Sequence, residues 1–511
     1  MLGQQVPWRQ DKQPLSETDG HGLDHIPIDD DELQDLIDQV KDYQLTHGFL
    51  LKLVRVEEPT TVLCRPVNVS IIPTAFPGSL FDRALDLQKA CNQLYIHASS
   101  DSEWLHSVLQ PLLKEDGLAK SLWQIWSHVR DAGVAQDVVC GIFRSDYMLH
   151  QPASERPASL KQVEMNTFSV AGACHAERAA NMHKHLKGTL TAADSRRSGV
   201  LPTSENIAKL TNALRAAHRT FEPRTSHRTC ILMITQPINF NVADERPMEY
   251  GLQGRGIACY RCNWQDVLEQ TTLCDDRTLL FHRTGVSFEV SLVYYRAGYE
   301  AGEYDLPGRE TRLRLELSRA IKCPDILTHL TTFKVVQLAL AAPGVLERFL
   351  SQEAADALRP TFMDMHALSS SEALAIARNP DQANDYVLKP NLEGGGHNIF
   401  RNDIPDFVET LAKEQYADYV LMKMIQPQFK QGVLMTPQEL YQGPVVSELG
   451  VIGTCLWRRS ADGREPEVIG NEAAGWTFKS KPSSVDEMSV VKGYGCFDCP
   501  LLTDNGCDVS Q

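Results

Sequence analysis

A chain of 511 residues exceeds what a single hydrophobic core organises and predicts roughly two to four lobes. Its 42% hydrophobic and 23% charged residues are those of a soluble globular enzyme, and a formal net charge of -16 argues against nucleic acid or an anionic membrane as the main partner. No uninterrupted apolar run approaches the ~20 residues of a membrane span.

Met1 to Asp24 is polar and has no hydrophobic stretch of the signal-peptide kind, so residues 1–29 read as a disordered tail and the protein as cytoplasmic. From Asp30 onward, Leu33, Leu36, Ile37, Val40 and Tyr43 follow the spacing of an amphipathic helix that Gly48 is placed to end. Ser79 is the expected cap of a second helix through Leu80, Ala84, Leu87 and Cys91. A third helical region is expected over roughly Ser102 to Ala132.

The apolar run Val138 to Ile142 leads into Arg144-Ser145-Asp146-Tyr147, followed by Lys161-Gln162-Val163-Glu164-Met165-Asn166-Thr167. Period-two alternation puts Val163 and Met165 on one face and Gln162, Glu164 and Asn166 on the other. A carboxylate and a carboxamide two residues apart offer two oxygens to one Mg²⁺, which prefers few protein ligands plus substrate phosphates. A half-exposed strand with polar residues facing water is the alternative. Cys174, His175, His183 and His185 hint at a metal, against the simpler expectation of a polar helix surface.

Cys230 to Ile234 and Val290 to Tyr295 are compact apolar runs that suit buried parallel strands of a small α/β domain. Thirteen cysteines without a secretion signal read as reduced and mostly buried. The pairs Cys259/Cys262 and Cys496/Cys499 have C-x-x-C spacing, but neither has a histidine at zinc-finger distance. Polar stretches near 192–199 and 460–465 read as linkers.

Asp385-Tyr386-Val387-Leu388 reads as a strand entering Lys389-Pro390-Asn391-Leu392-Glu393-Gly394-Gly395-Gly396-His397-Asn398. If the extension continues, Lys389, Asn391 and Glu393 point the same way and set a cation for phosphate oxygens beside a hard oxygen ligand for Mg²⁺. The three glycines bring bare N–H groups against phosphates. A flexible hairpin turn is the alternative reading.

Together, several motifs resemble eukaryotic-type glutathione synthetase of the ATP-grasp superfamily, in the family's order and at nearly its spacing. They are Arg144 to Met148, Lys161 to Thr167, Tyr295-Arg296-Ala297-Gly298-Tyr299, Lys322-Cys323-Pro324-Asp325, Val387 to Pro390, Glu393 to Gly396 and Ser447-Glu448-Leu449-Gly450. The resemblance covers about Asp30 to Leu502. It implies an α/β ATP-grasp fold with a small parallel-sheet substrate domain and a glycine-rich lid. The expected parts are a helical and ATP-grasp part over 30–225, a substrate-binding domain over 226–325, and an ATP-grasp part over 326–511 with a lid at about 390–445.

The same resemblance implies that Glu164, Asn166 and Glu393 hold two Mg²⁺ ions bridging the phosphates of ATP. Lys334, Lys389, Lys481 and Glu487 belong to the nucleotide site, with Gly394, Gly395, Gly396, His397, Asn398 and Phe400 in the lid. Met422, Lys423, Met424, Ile425 and Glu448 would surround adenine and ribose. Arg144 would lie beside the reacting carboxylate as a catalytic residue with Lys389, while Ser169, Asn241, Glu245, Arg296, Tyr299 and Lys479 would bind substrate. A homodimer is implied as well.

Departures gather at the substrate end. The turn after Thr167 reads Phe168-Ser169-Val170-Ala171-Gly172-Ala173-Cys174, with a serine lost and the phenylalanine-glycine-glycine run absent. Lys479 replaces an arginine carboxylate clamp, and lysine loses the planar two-pronged geometry. After Glu487 a glycine-rich loop is replaced by Met488-Ser489-Val490-Val491-Lys492-Gly493. The expected activity is ATP-dependent amide formation through an acyl phosphate, with glutathione synthesis as the default. The alternatives are a paralogous ligase with a different acid or amine, and a non-catalytic nucleotide-binding regulator.

Overall fold

The computed structural model describes residues 28–54, 60–114, 117–153, 157–187, 199–392, 396–460, 465–490 and 492–504. The expected tail, both expected linkers (192–198 and 461–464 of them) and Glu393, Gly394 and Gly395 lie largely or wholly outside the described residues.

The first helix, Asp30–Thr46, buries Leu33, Leu36 and Val40, starts on the Asp29 side chain and ends before Gly48 at φ +63°. The second runs from Gly78 to Ser100 with Pro77 as its N-cap, so Ser79 lies inside it. The strand Thr74–Pro77 feeds directly into that helix, and Pro77 sets the entry angle by its own fixed φ. The third region is two helices, Ser102–Leu109 and Leu118–Asp131, separated around Pro111 and Gly117. Periodicity ran them together because Leu105, Leu109, Leu122 and Ile125 all face the same core cluster.

The apolar runs after Thr229 sort by parity. In the strand Thr229–Ile234, Cys230, Leu232 and Ile234 face a core with Phe281 and Val293, while Ile231 and Met233 face another with Leu214 and Leu252. A strand buried on both faces is the pattern of a parallel sheet covered on each side. This one pairs in parallel with Val286–Tyr295 and with Ala258–Cys262. Val286–Tyr295 pairs in parallel with Ile321–Cys323, which meets Val138–His150 at Lys322 opposite Val139.

There the sheet changes character. Val138–His150 lies antiparallel between Ser159–Asn166 and Leu440–Arg458, and the latter pairs onward with Glu467–Pro482. Thirteen described strands form this sheet. A second sheet holds four antiparallel strands in the order Met365–Ala367, Tyr419–Lys423, Tyr386–Pro390, Ile399–Phe400. Leu388 and Leu421 back onto helices Ser371–Arg378 and Asp403–Thr410, whereas Val387 and Met422 face Met148 and Val163 of the large sheet. The region between the two sheets is therefore lined by methionines.

Two local expectations are corrected. A register shift between Asp146 and Tyr147 sets Asp146 opposite Glu164 and Tyr147 opposite Gln162, leaving Val163 as an extra residue. Such a bulge breaks strict alternation. Val163 joins the methionine-lined cluster, Met165 faces the helical core, and Gln162 is buried where Gln337 donates to it at 3.4 Å. His175 and His183, expected on a polar surface, are buried in the helix Ala173–Lys187. Burial pushes their imidazoles down, to about 4 and about 3, so both are neutral at pH 7.

The cysteine pairs do not converge. Cys259 and Cys262 lie three apart on one strand and pack into different core clusters, as do Cys496 and Cys499. Among the described residues, no group of three or more His, Cys, Asp or Glu is arranged to hold a metal. No described helix is long and apolar enough to cross a membrane.

Candidate active site

Antiparallel register sets Arg144 opposite Asn166 and Asp146 opposite Glu164, so four polar side chains share one stretch of sheet. Asp146 is their hub. Arg144 Nε and Nη2 donate to its two carboxylate oxygens at 2.6 and 2.8 Å, and Asn166 Nδ2 donates to Oδ2 at 3.0 Å. Arg144 Nη1 donates to Ala171 O at 2.9 Å, which spends three of the guanidinium's five N–H donors and leaves two. Gly450 lies beneath: a Cβ there would stand 2.6 Å from Asp146 Oδ1 and 2.8 Å from Arg144 Cδ, so a side chain cannot fit.

Glu164 faces two lysines from distant segments. Lys334, at the start of the helix Lys334–Ala341, lies 2.9 Å from Glu164 Oε2. Asn391 holds that helix start by accepting from Val335 N at 2.9 Å, so its side chain is spent on structure rather than presented with Lys389. Lys389 Nζ donates to Val163 O at 2.9 Å. Burial raises the Glu164 pKa, but Lys334, Lys389 and Arg144 outweigh it and hold the carboxyl well below its usual range. Burial pushes Lys389 down to about 8, with Glu164, Glu448 and Glu487 opposing.

Glu448 lies opposite Lys479 in the ladder and pairs with its Nζ at 2.6 Å. Burial raises Glu448, with Lys479 opposing. The methionine-lined side is built from buried Met422 and Ile425 with half-buried Met424 and Phe400, while Lys423 is exposed.

A second polar cluster joins the first through the 167–174 turn. Ala171 accepts from Arg144, and the next backbone N–H, of Gly172, donates to Asp244 Oδ2 at 2.9 Å. Asp244 in turn takes Arg296 Nη2 at 3.0 Å. Burial raises Asp244, but Arg296 first and then the Gly172 N–H outweigh it and hold the carboxyl below its usual value. Arg296 Nε and Nη1, Tyr294 Oη and Asn241 Oδ1 are buried without a well-formed hydrogen bond among the described residues. Glu245 accepts from Asn239 at 2.5 Å, and burial raises its pKa. Tyr299 is half-buried, and its phenol is pushed up to about 12 by burial and then Glu303. Ser169, within the turn, has φ +51°, the left-handed backbone that a non-glycine residue adopts at a cost.

The C-terminal segment packs on the residues after the glycine run. Asp486 pairs with Arg401 at 3.2 Å, and Asn398 Nδ2 donates to Glu487 at 3.2 Å. Lys481 is buried, donates to Val485 O, and is pushed down to about 8 by burial, with Asp486, Glu448 and Glu487 opposing. His397 is exposed.

Sequence reasoning missed Asp146 and Asp244, which hold the two arginines. Asp146 shares Arg144's face by simple alternation, which was the available signal. Asp244 offered none, because its helix position says nothing about which turn it meets.

The family model described as "Eukaryotic glutathione synthase, ATP binding domain" matches residues 30–502. The chain is 30% identical to the glutathione synthetase large chain of Schizosaccharomyces pombe, over 93% of this chain and 98% of that one. It is 31% identical to the glutathione synthetase of Homo sapiens, over 92% and 97% respectively. A solved glutathione synthetase-like effector of Globodera pallida, in its apo form, shares the fold with a TM-score of 0.73 at 21% identity, over 94% of this chain and 100% of that one. The chain belongs to the eukaryotic glutathione synthases, a family of ATP-dependent ligases.

Proposed function

We propose that this chain condenses γ-glutamylcysteine with glycine at the expense of ATP on an ATP-grasp scaffold. The γ-phosphoryl group passes to the γ-glutamylcysteine carboxylate, giving an acyl phosphate and ADP. The amine of glycine then attacks the acyl carbon, loses a proton and expels phosphate. Charge builds on oxygens in both steps, so positioned cations lower the barrier. The carrying observation is the convergence of Arg144, Asp146, Glu164 and Asn166 with Lys334 and Lys389 beside an apolar, methionine-lined cleft.

Each residue has a role in this reading. Adenine lies between the sheets against Met422 to Ile425 and Phe400. Lys334, Lys389 and Lys481 meet phosphates, and the two remaining N–H donors of Arg144 take the reacting carboxylate. The unsatisfied Arg296 donors suit the α-carboxylate of the γ-glutamyl end, with Glu245 and Asn241 for its ammonium group and Tyr299 and Ser169 beside it. Glu164, held ionised, and Asn166, whose amide nitrogen faces Asp146 and Glu164 and leaves its oxygen for a cation, suit two Mg²⁺ ions with Glu393; bound there, they neutralise the triphosphate. Residues 30–225 and 326–511 form the ATP-grasp part with its lid at about 390–445, and 226–325 form the substrate domain.

Phosphate binding raises a lysine's pKa by bringing anionic charge to it. Burial pushes Lys389 and Lys481 down to about 8, so nucleotide binding at pH 8.5 is expected to take up protons. Calorimetry in buffers of different ionisation enthalpy measures that uptake. Zero uptake at pH 8.5 contradicts the assigned contacts.

A homodimer fits an apolar patch. Leu45, Leu53, Val62, Leu63, Ile238 and Tyr250 are exposed around the ribbon Leu50–Lys52 and Cys64–Pro66, and Lys52 N donates to Phe240 O at 3.1 Å. Light scattering on the purified chain should give twice 57.1 kDa, and Val62→Glu should halve it. A wild-type monomer at micromolar concentration ends the dimer assignment.

The deciding assay supplies ATP, Mg²⁺, γ-glutamylcysteine and glycine, and identifies the product by mass spectrometry. One observation favours a paralogous acceptor: Lys479 is engaged by Glu448 instead of offering a two-pronged clamp. ADP release with other amines but not glycine selects that reading.

A further inference from the structure

We propose that Lys492 is a phosphate-binding residue delivered by the C-terminal segment, its ammonium meeting the terminal phosphate of the bound triphosphate across Gly396. This rests on the ATP-dependent reading above. Gly396 has φ +74°, and the Lys492 side chain lies along it. A Cβ at 396 would stand 2.9 Å from Lys492 Nζ and 3.0 Å from its Cδ, so a side chain there would displace the end of the lysine stem, while the positive φ itself favours glycine. The lysine ammonium thus lies against the backbone at Gly396, the described residue of the glycine run.

The rest of the segment holds this geometry. Asp486 and Glu487 grip Arg401 and Asn398, the residues that follow the same glycine. Lys481, on the strand feeding the segment, ties back to Val485 O. Glu487 also acts electrostatically on Lys389 and Lys481, which puts the segment on the phosphate side of the cleft. Lysine is a compact point charge on a flexible stem, suited to a phosphate without demanding bidentate geometry. The acceptor-clamp position, Lys479, is occupied by its pairing with Glu448.

Calorimetry with Mg²⁺ and either ADP or the non-hydrolysable imido analogue of ATP tests this on wild type, Lys492→Ala and Lys492→Arg. Lys492 is exposed, so both variants should fold, as matching thermal melts verify. Losing a charge-assisted hydrogen bond should weaken the triphosphate analogue about ten- to a hundredfold, ADP by less than about threefold, and arginine should recover most of the loss. Equal losses for both nucleotides, or no loss, overturns the proposal. A rise confined to the KM of the amine also overturns it and assigns Lys492 to the acceptor carboxylate. If wild type binds neither nucleotide, the ATP reading itself has failed; a wild type that binds while Lys492→Ala binds equally well sinks only this inference.

Discussion

Glu164→Gln should lower kcat by about three orders of magnitude while the chain still folds. Glutamine keeps the size and one acceptor oxygen but removes the negative charge that faces Lys334, Lys389 and Arg144. Two consequences follow from that loss. Lys334, buried and 2.9 Å from the carboxylate, is left with a neutral partner. Lys389, already pushed down to about 8 by burial, loses the strongest group opposing that shift. Its folded pKa must fall further, so the ammonium is lost at lower pH and the alkaline limb of the rate profile moves down. A pH–rate profile of wild type and variant measures both effects, with circular dichroism as the check on folding. Turnover within tenfold of wild type would remove Glu164 from the chemistry.

Asp146→Ala should cost about 3–5 kcal/mol of stability as well as activity, because it strips the partner from a largely buried guanidinium. The Asp146 side chain is 2% exposed and that of Arg144 13%, so water cannot replace the lost bonds in place. The same substitution removes the nearer of two acceptors from the Asn166 amide, Asp146 Oδ2 at 3.0 Å, and leaves Glu164 Oε1 at 3.3 Å. Asp146→Asn, which retains one acceptor, should lose less. Chemical denaturation midpoints read the first effect, and kcat at saturating ATP reads the second. A cost below about 1 kcal/mol for the alanine variant would show that Arg144 finds another partner.

How far the site was legible depended on sequence distance. Glu164, Asn166 and Lys389 sit in short strand motifs where period-two alternation and local chemistry speak together, whereas the role of Arg144 came only from the family resemblance; residues two apart on one strand share a face without help from the rest of the chain. Alternation failed at Val163, where one extra residue in the ladder sends Gln162 into the core. A bulge is set by the partner strand, and nothing in Gln162-Val163-Glu164 announces it. Periodicity likewise merged two helices that Pro111 and Gly117 separate, because both present their apolar stripe to one core.

The buried parallel runs, the helix before Gly48 and the strand entering Lys389 were determined by the amino-acid sequence alone, because backbone conformation and solvent avoidance act over a few neighbouring residues. Membership of the family was also written there, in ordered motifs. Tertiary structure alone decided that Lys334 meets Glu164, that Asp244 holds Arg296 and joins the 167–174 turn, and that Lys492 lies across Gly396. These pairs are separated by dozens to hundreds of positions. Their meeting depends on the register of two sheets and the packing between them, a sum of many weak contacts that no local motif encodes.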